Sequence, residues 1–248
     1  MGDAVHAAPS GQTTAVDERH DSHWLRETWP LDRRDAGVLF GIYVVLTAVF
    51  VGVGKLITGP LGDSAIVRGD RDVARFFADR RTESWNTVSD VATFPADTIV
   101  KVAVTAVICV TLLFVWKRWL EPLFIALALI IEASAFITIT WIVGRPRPDV
   151  PKLEDSPVDS SFPSGHTAAA AAYAAIAIVI FWHVRATWVR VLTVIATILL
   201  PVGVGLARTY AGMHFLSDVI AGVVLGALSV LSVWLLLRTR RDEATSTA

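Results

Sequence analysis

Cysteine is almost missing from this sequence: Cys109 is the only one among 248 residues, and it sits in an apolar run. One thiol can form neither an internal disulfide nor a cysteine-rich zinc site. Net charge is nearly missing too, since 22 Lys and Arg face 23 Asp and Glu for a formal charge of -1. No global field therefore draws nucleic acid or polycations, and partners must be sought at local sites. A secretory leader is not legible: the first apolar run begins only near Gly37, and no small-residue cleavage pattern follows it. That run is expected to remain as a membrane anchor. Nor is there an internal repeat, which counts against a transporter built from duplicated halves.

What is present is apolar surface. The chain is 54% hydrophobic and 18% charged, too apolar for one soluble core of this length. A bilayer-spanning helix needs about 20 mostly apolar residues. Six windows qualify: Gly37 to Ile57, Thr98 to Trp116, Leu123 to Val143, Thr167 to His183, Trp188 to Leu206 and Phe215 to Leu237. The expected fold class is all-α, a six-transmembrane-helix bundle with an amphipathic outer segment between the first and second membrane helices. Its divisions are a disordered polar N-terminal tail (1–35), a membrane domain (36–238) and a polar C-terminal tail (239–248). His6, His20 and His23 fall in the first tail and read as solvated. Both termini share one side, and Arg26, Arg33, Arg34, Lys117, Arg118, Arg185, Arg190 and the run after Leu237 gather basic charge there. By the positive-inside rule that side is cytoplasmic.

Between the first two windows, Val73, Phe76, Phe77, Trp85 and Val88 recur at near-helical spacing among charged residues. A packing element covering the bundle explains the pattern; a lid or lipid entrance is the sharper alternative. Gly37-x-x-x-Gly41 and Gly222-x-x-x-Gly226 both permit close helix contact. Glu132 lies mid-helix, where an ionisable group needs a partner or a proton. Lys101 lies one turn inside the outer end of the second window, placed either to snorkel to headgroups or to serve the polar loops.

Three polar segments sit at the outer ends of apolar helices: Gly144-Arg145-Pro146-Arg147-Pro148-Asp149, Phe162-Pro163-Ser164-Gly165-His166, and Arg208 through His214 to Asp218. His214 and Asp218 are four residues apart and share a helix face. The carboxylate is placed to hold one ring nitrogen and leave the other as a lone pair aimed at an electrophile. A plain helix-surface contact would show the same spacing. Ser164 reads as a helix cap, Gly165 as a point of close approach for an anion, and His166 as a proton donor. Arg147 and Arg208 offer planar forks suited to phosphate oxygens. For Arg145, phosphate and lipid headgroups are equally good partners.

At these segments the chain resembles the type 2 phosphatidic acid phosphatase family, the lipid phosphate phosphatases related to bacterial acid phosphatases and vanadium haloperoxidases. Arg147-Pro148 matches the end of the family's first motif, Pro163 to His166 all of the second, and Arg208, His214 and Asp218 most of the third. The resemblance implies a phosphohistidine on His214 supported by Asp218, with His166 protonating the leaving group. It further implies that Arg147, Ser164, Gly165 and Arg208 bind phosphate, with no metal and no cofactor. Two positions depart: Thr140 stands where the family has lysine, and Ala207 where it has serine. The expected protein is a plasma-membrane hydrolase of a phosphomonoester or pyrophosphate on a lipid, its site on the non-cytoplasmic face. Phosphatidic acid, phosphatidylglycerol phosphate and polyprenyl pyrophosphate are all candidate substrates; the bilayer is the other partner and nucleic acid is not one. A lipid phosphotransferase, or a catalytically weak lipid-binding relative, is the alternative.

Overall fold

The computed structural model describes residues 31–246 apart from 157, with side chains placed as far as residue 238. Most of the expected N-terminal tail, with His6, His20 and His23, thus lies outside the described residues, as do the side chains of the C-terminal tail. The described residues are helical and contain no strand, and six stretches are long and apolar enough to cross a membrane. The spans are α1 (Arg33–Thr58), α4 (Thr98–Trp116), α5 (Leu120–Val143), α6 (Gly165–Ala172) continued by α7 (Ala174–His183), α8 (Thr187–Tyr210) and α9 (Leu216–Ser246). Helices α2 (Ala65–Ala78) and α3 (Glu83–Thr93) fill the connection between the first two spans.

Local chemistry sets the helix ends. Asp32 accepts from the N–H groups of Arg34 and Asp35 while Asp35 answers the N–H of Asp32, a reciprocal cap that starts α1. At the far end of α5, Gly144 takes a left-handed φ of 62°, which costs nothing without a Cβ and turns the chain into the first polar segment.

The closest packing between α6 and α9 is built where side chains are smallest. Thr167 through Ala172 of α6 are all buried, and α9 lies against them at backbone contact. A Cβ on Gly222 or Gly226 would collide with the carbonyl oxygens of Ser164 and Ala168. Small residues pack this way because apolar attraction between helices is weak in lipid, and close backbone approach replaces it. Gly37 and Gly41 have nothing near them, so only the second glycine pair makes a helix contact. Helix α4 is the opposite case, with no buried residue. It is tied to α5 by Lys101 Nζ and Glu132 Oε2 at 3.2 Å, so Lys101 serves Glu132 rather than the polar loops.

Helices α2 and α3 clamp the end of α8. Arg81 donates from Nε and Nη2 to the Tyr210 carbonyl at 3.0 and 2.8 Å, the Tyr210 hydroxyl donates to Asn86 Oδ1 at 2.8 Å, and Ser89 Oγ donates to the Ala207 carbonyl at 3.1 Å. The buried residues of α2 are Val67, Asp70 and Ala74; of the five apolar residues in the pattern, Phe76, Trp85 and Val88 are exposed, whereas Val73 and Phe77 are half-buried and the Phe77 ring packs edge-on against Tyr210. The apolar periodicity in this segment is thus divided between the bundle and the face turned from it. Alternation of the spans brings the C-terminal ends of α5 and α8 and the N-terminal ends of α6 and α9 together, and all three polar segments with them.

Candidate active site

His214 stands between α8 and α9 and is fully enclosed. Its Nδ1 lies 2.7 Å from the Ser161 carbonyl oxygen. A carbonyl only accepts, so Nδ1 carries the proton and Nε2 keeps the lone pair. Asp218 was expected to hold this ring. Its Oδ2 is 4.0 Å from Nδ1, and its hydrogen bonds go elsewhere: Oδ2 accepts from the Phe215 N–H at 2.9 Å, and Oδ1 accepts from Arg145. The tautomer is therefore set by a backbone carbonyl, with Asp218 beyond hydrogen-bond reach of the ring. Burial, then the cations of Arg208 and Arg147, hold His214 well below the usual histidine range, so the ring is neutral at physiological pH.

Arg145 is engaged by partners within the chain. Its guanidinium is buried, joined to Asp218, to Ser217 Oγ at 2.8 Å and to Asp70 Oδ2 at 2.9 Å, with the Phe215 ring 4.2 Å beneath. Asp70 comes from α2 and also accepts from the Ser217 N–H at 2.9 Å. One arginine between two buried carboxylates leaves each partner paired, the condition on which buried charge is tolerated. Sequence reasoning passed over Asp70 because it looks like any polar residue on an amphipathic helix.

Arg208 lies near enough to both histidines, and Arg147 to His214, for their charges to bear on the rings. Arg147 donates through Nη1 to the Met213 carbonyl and through Nη2 to the Val158 carbonyl at 2.9 Å and the Ser160 carbonyl at 3.2 Å. Burial and the neighbouring Arg208 both lower its pKa. Arg208 meets the carboxylate of Glu154, with Nη1 at 2.9 and 2.8 Å from its two oxygens. The Nε atoms of Arg147 and Arg208 are buried and have no hydrogen-bond partner among the described residues. A buried donor left unmade costs about 1–3 kcal/mol, so two together at a histidine point to an anion that supplies the acceptors.

His166 begins α6 and is more open. Its Nε2 lies 3.1 Å from Asp97 Oδ1, at the start of α4. Asp97 had no signal of its own, being one acid in a segment rich in them. Ser164 occupies the cap position of α6 but makes no side-chain cap; its hydroxyl pairs with that of Thr167 at 2.9 Å, and its N–H donates to the Asp218 carbonyl at 3.0 Å. Gly165 is required by packing, since a Cβ there would come within 2.6 Å of the Phe136 ring. Thr140 is buried, its hydroxyl donating to the Phe162 carbonyl at 3.3 Å.

Fold and site together define a membrane helical bundle with an arginine-flanked histidine pair at one end. The model of the PAP2 superfamily matches residues 121–242, the stretch that carries all three polar segments. It is an integral membrane protein. The chain is similar to the crystal structure of the transmembrane PAP2 type phosphatidylglycerolphosphate phosphatase from Bacillus subtilis, at 25% identity and a TM-score of 0.65, covering 77% of this chain and 93% of that one. The structure of Aquifex aeolicus LpxE shares the fold, at 23% identity and a TM-score of 0.50, covering 66% of this chain and 93% of that one. The bacitracin transport permease protein BcrC of Bacillus licheniformis is 36% identical over 88 residues, 35% of this chain. The chain aligns with only 38% of that relative's length.

Proposed function

We propose that the protein is a lipid phosphatase that cleaves a phosphomonoester or pyrophosphate of a lipid-linked substrate through a phosphohistidine. The observation that carries this is the His214 ring, whose Nδ1 is committed to the Ser161 carbonyl and whose neighbours Arg147 and Arg208 each keep a buried, unpaired Nε. A neutral imidazole beside two cations suits attack on a phosphoryl group. Phosphate oxygens would take Arg147 and Arg208, with Ser164 and Gly165 at the α6 start alongside. Nε2 of His214 forms the bond to phosphorus as the bond to the leaving oxygen breaks, and His166 gives that oxygen its proton. Water then attacks the phosphohistidine, its proton passes to His166, and phosphate leaves with both histidines restored. Asp218, fixed by Arg145, holds the negative charge behind the ring that becomes positive on phosphorylation.

Similarity to the phosphatidylglycerolphosphate phosphatase supports a lipid phosphate as substrate, with a polyprenyl pyrophosphate as the second candidate. The test is phosphate release by purified protein across a panel of lipid phosphates, with and without chelator. Release that survives chelator and depends on His214 supports the reading; release abolished by chelator, or unchanged in His214→Ala, overturns it. Basic residues at the end opposite the site support a non-cytoplasmic active site. Cysteines at Lys152 and Ala186, both exposed and in connections at opposite ends, test this in a Cys109→Ala background. An impermeant reagent should label the first in intact cells and the second only after permeabilisation; the reverse pattern puts the site in the cytoplasm.

A further inference from the structure

The connection between α5 and α6 carries an acid that neither the fold nor the proposed chemistry requires. Glu154 is partly exposed, its side chain 34% accessible, yet both of its oxygens lie within hydrogen-bond reach of Nη1 of Arg208, whose own side chain is only 4% accessible. A carboxylate on a guanidinium presents two anionic oxygens much as phosphate would. Arg208 is thus half satisfied: Glu154 covers Nη1, while Nε remains buried and unpaired. A phosphate oxygen reaching Nε from the same side would meet the Glu154 charge, and two anions cannot share one cation in a poorly screened site without repulsion. Glu154 sits on a loop, so it can withdraw; Arg208 sits on a buried helix end, so it cannot.

We propose that Glu154 is an internal competitor for the phosphate subsite at Arg208, displaced by bound phosphate and returning as it leaves. The inference rests on the proposed function, since it takes Arg208 to bind phosphate. Glu154 then sets specificity. Every phosphate must expel the carboxylate, but a lipid-linked one has its apolar chain to offset that cost and free phosphate has nothing. The carboxylate therefore selects against inorganic phosphate, the product, and shortens its stay.

The experiment measures inhibition of lipid phosphate hydrolysis by inorganic phosphate in wild type, Glu154→Gln, Glu154→Ala and Arg208→Ala, with thermal stability recorded for each. Removing the competing charge should lower the inhibition constant for phosphate on the order of 10-fold in both Glu154 variants, roughly the reach of one charge-assisted contact. The KM for a long-chain lipid phosphate should fall less. An unchanged or raised inhibition constant in both Glu154 variants, with Arg208→Ala weakening phosphate, overturns the competitor and makes Glu154 a brace for Arg208. If Arg208→Ala also leaves phosphate inhibition unchanged in a folded protein, the phosphate assignment of Arg208 falls and the competitor with it.

Discussion

The two histidines sit in opposite settings within one site. Around His214 everything is enclosed: Asp218, Arg145 and Asp70 form a buried chain of charges, and the ring is pinned to a backbone carbonyl. Around His166 the partners are open, with the ring side chain 28% and Asp97 49% accessible. The difference fits the two tasks proposed for them. A nucleophile gains from a fixed tautomer and a dry environment, whereas a proton donor must reach both a leaving group and water. Buried networks are also unforgiving of deletion, while exposed pairs are worth little to stability. Substitutions on the two sides should therefore behave differently.

The largest effect is expected at the nucleophile. His214→Ala should reduce turnover by on the order of 10⁴-fold or more, and wild type should accumulate an acid-labile phosphoenzyme that the variant lacks. Rapid-quench labelling with radioactive substrate reads this directly; label persisting in the variant would move the nucleophile elsewhere. Next in size is Arg145→Ala, which strands the Asp70 and Asp218 carboxylates. About 3–5 kcal/mol of stability should be lost, visible as a lowered midpoint in detergent, together with activity. A variant as stable as wild type would show that the buried network is not a structural unit.

The pH profile sharpens the contrast further. His214 must be neutral to attack, and its folded pKa is depressed, chiefly by burial and then by Arg208 and Arg147. Its charged form therefore appears only as pH falls through that lowered value. The acid limb of kcat/KM should lie below the ordinary histidine range near 6.5. An acid limb at or above 6.5 would contradict the enclosed setting. On the open side, Asp97→Asn should lower kcat by roughly 10-fold, a fraction of what general acid catalysis contributes, with almost no change in thermal midpoint. A large loss of stability with unchanged kcat would make Asp97 a structural residue only.

The smallest effect is expected at Thr140. Its hydroxyl faces the Phe162 carbonyl just before the Pro163-to-His166 segment, so a lysine there can reach toward the anion site. Thr140→Lys should raise kcat/KM a few-fold, since one well-placed charge contact is worth about 1.5–3 kcal/mol before the cost of fitting a longer side chain. Lys101→Ala should lower stability without altering kcat/KM, because Lys101 is engaged by Glu132. Loss of substrate affinity in Lys101→Ala would instead make it the relocated cation.

Hydrophobic run length by itself determined the six spans, because a bilayer admits a backbone only when about 20 consecutive residues are apolar and internally hydrogen-bonded. Motif spacing determined which histidines and arginines meet, since alternate helix ends share one face of the bundle. What the string of residues could not state is which atom serves which. His214 and Asp218 are correctly spaced for a direct pair, yet a carbonyl of Ser161, invisible as a residue type, lies nearer to the ring. Arg145 was equally open to phosphate or a lipid headgroup on paper and is found against Asp70, which arrives from α2, 75 residues away in sequence. Glu154 looked like one acid among several until the loop brought it onto Arg208. Side-chain partnership across distant elements depends on angles and distances of an ångström or two, which only tertiary packing decides.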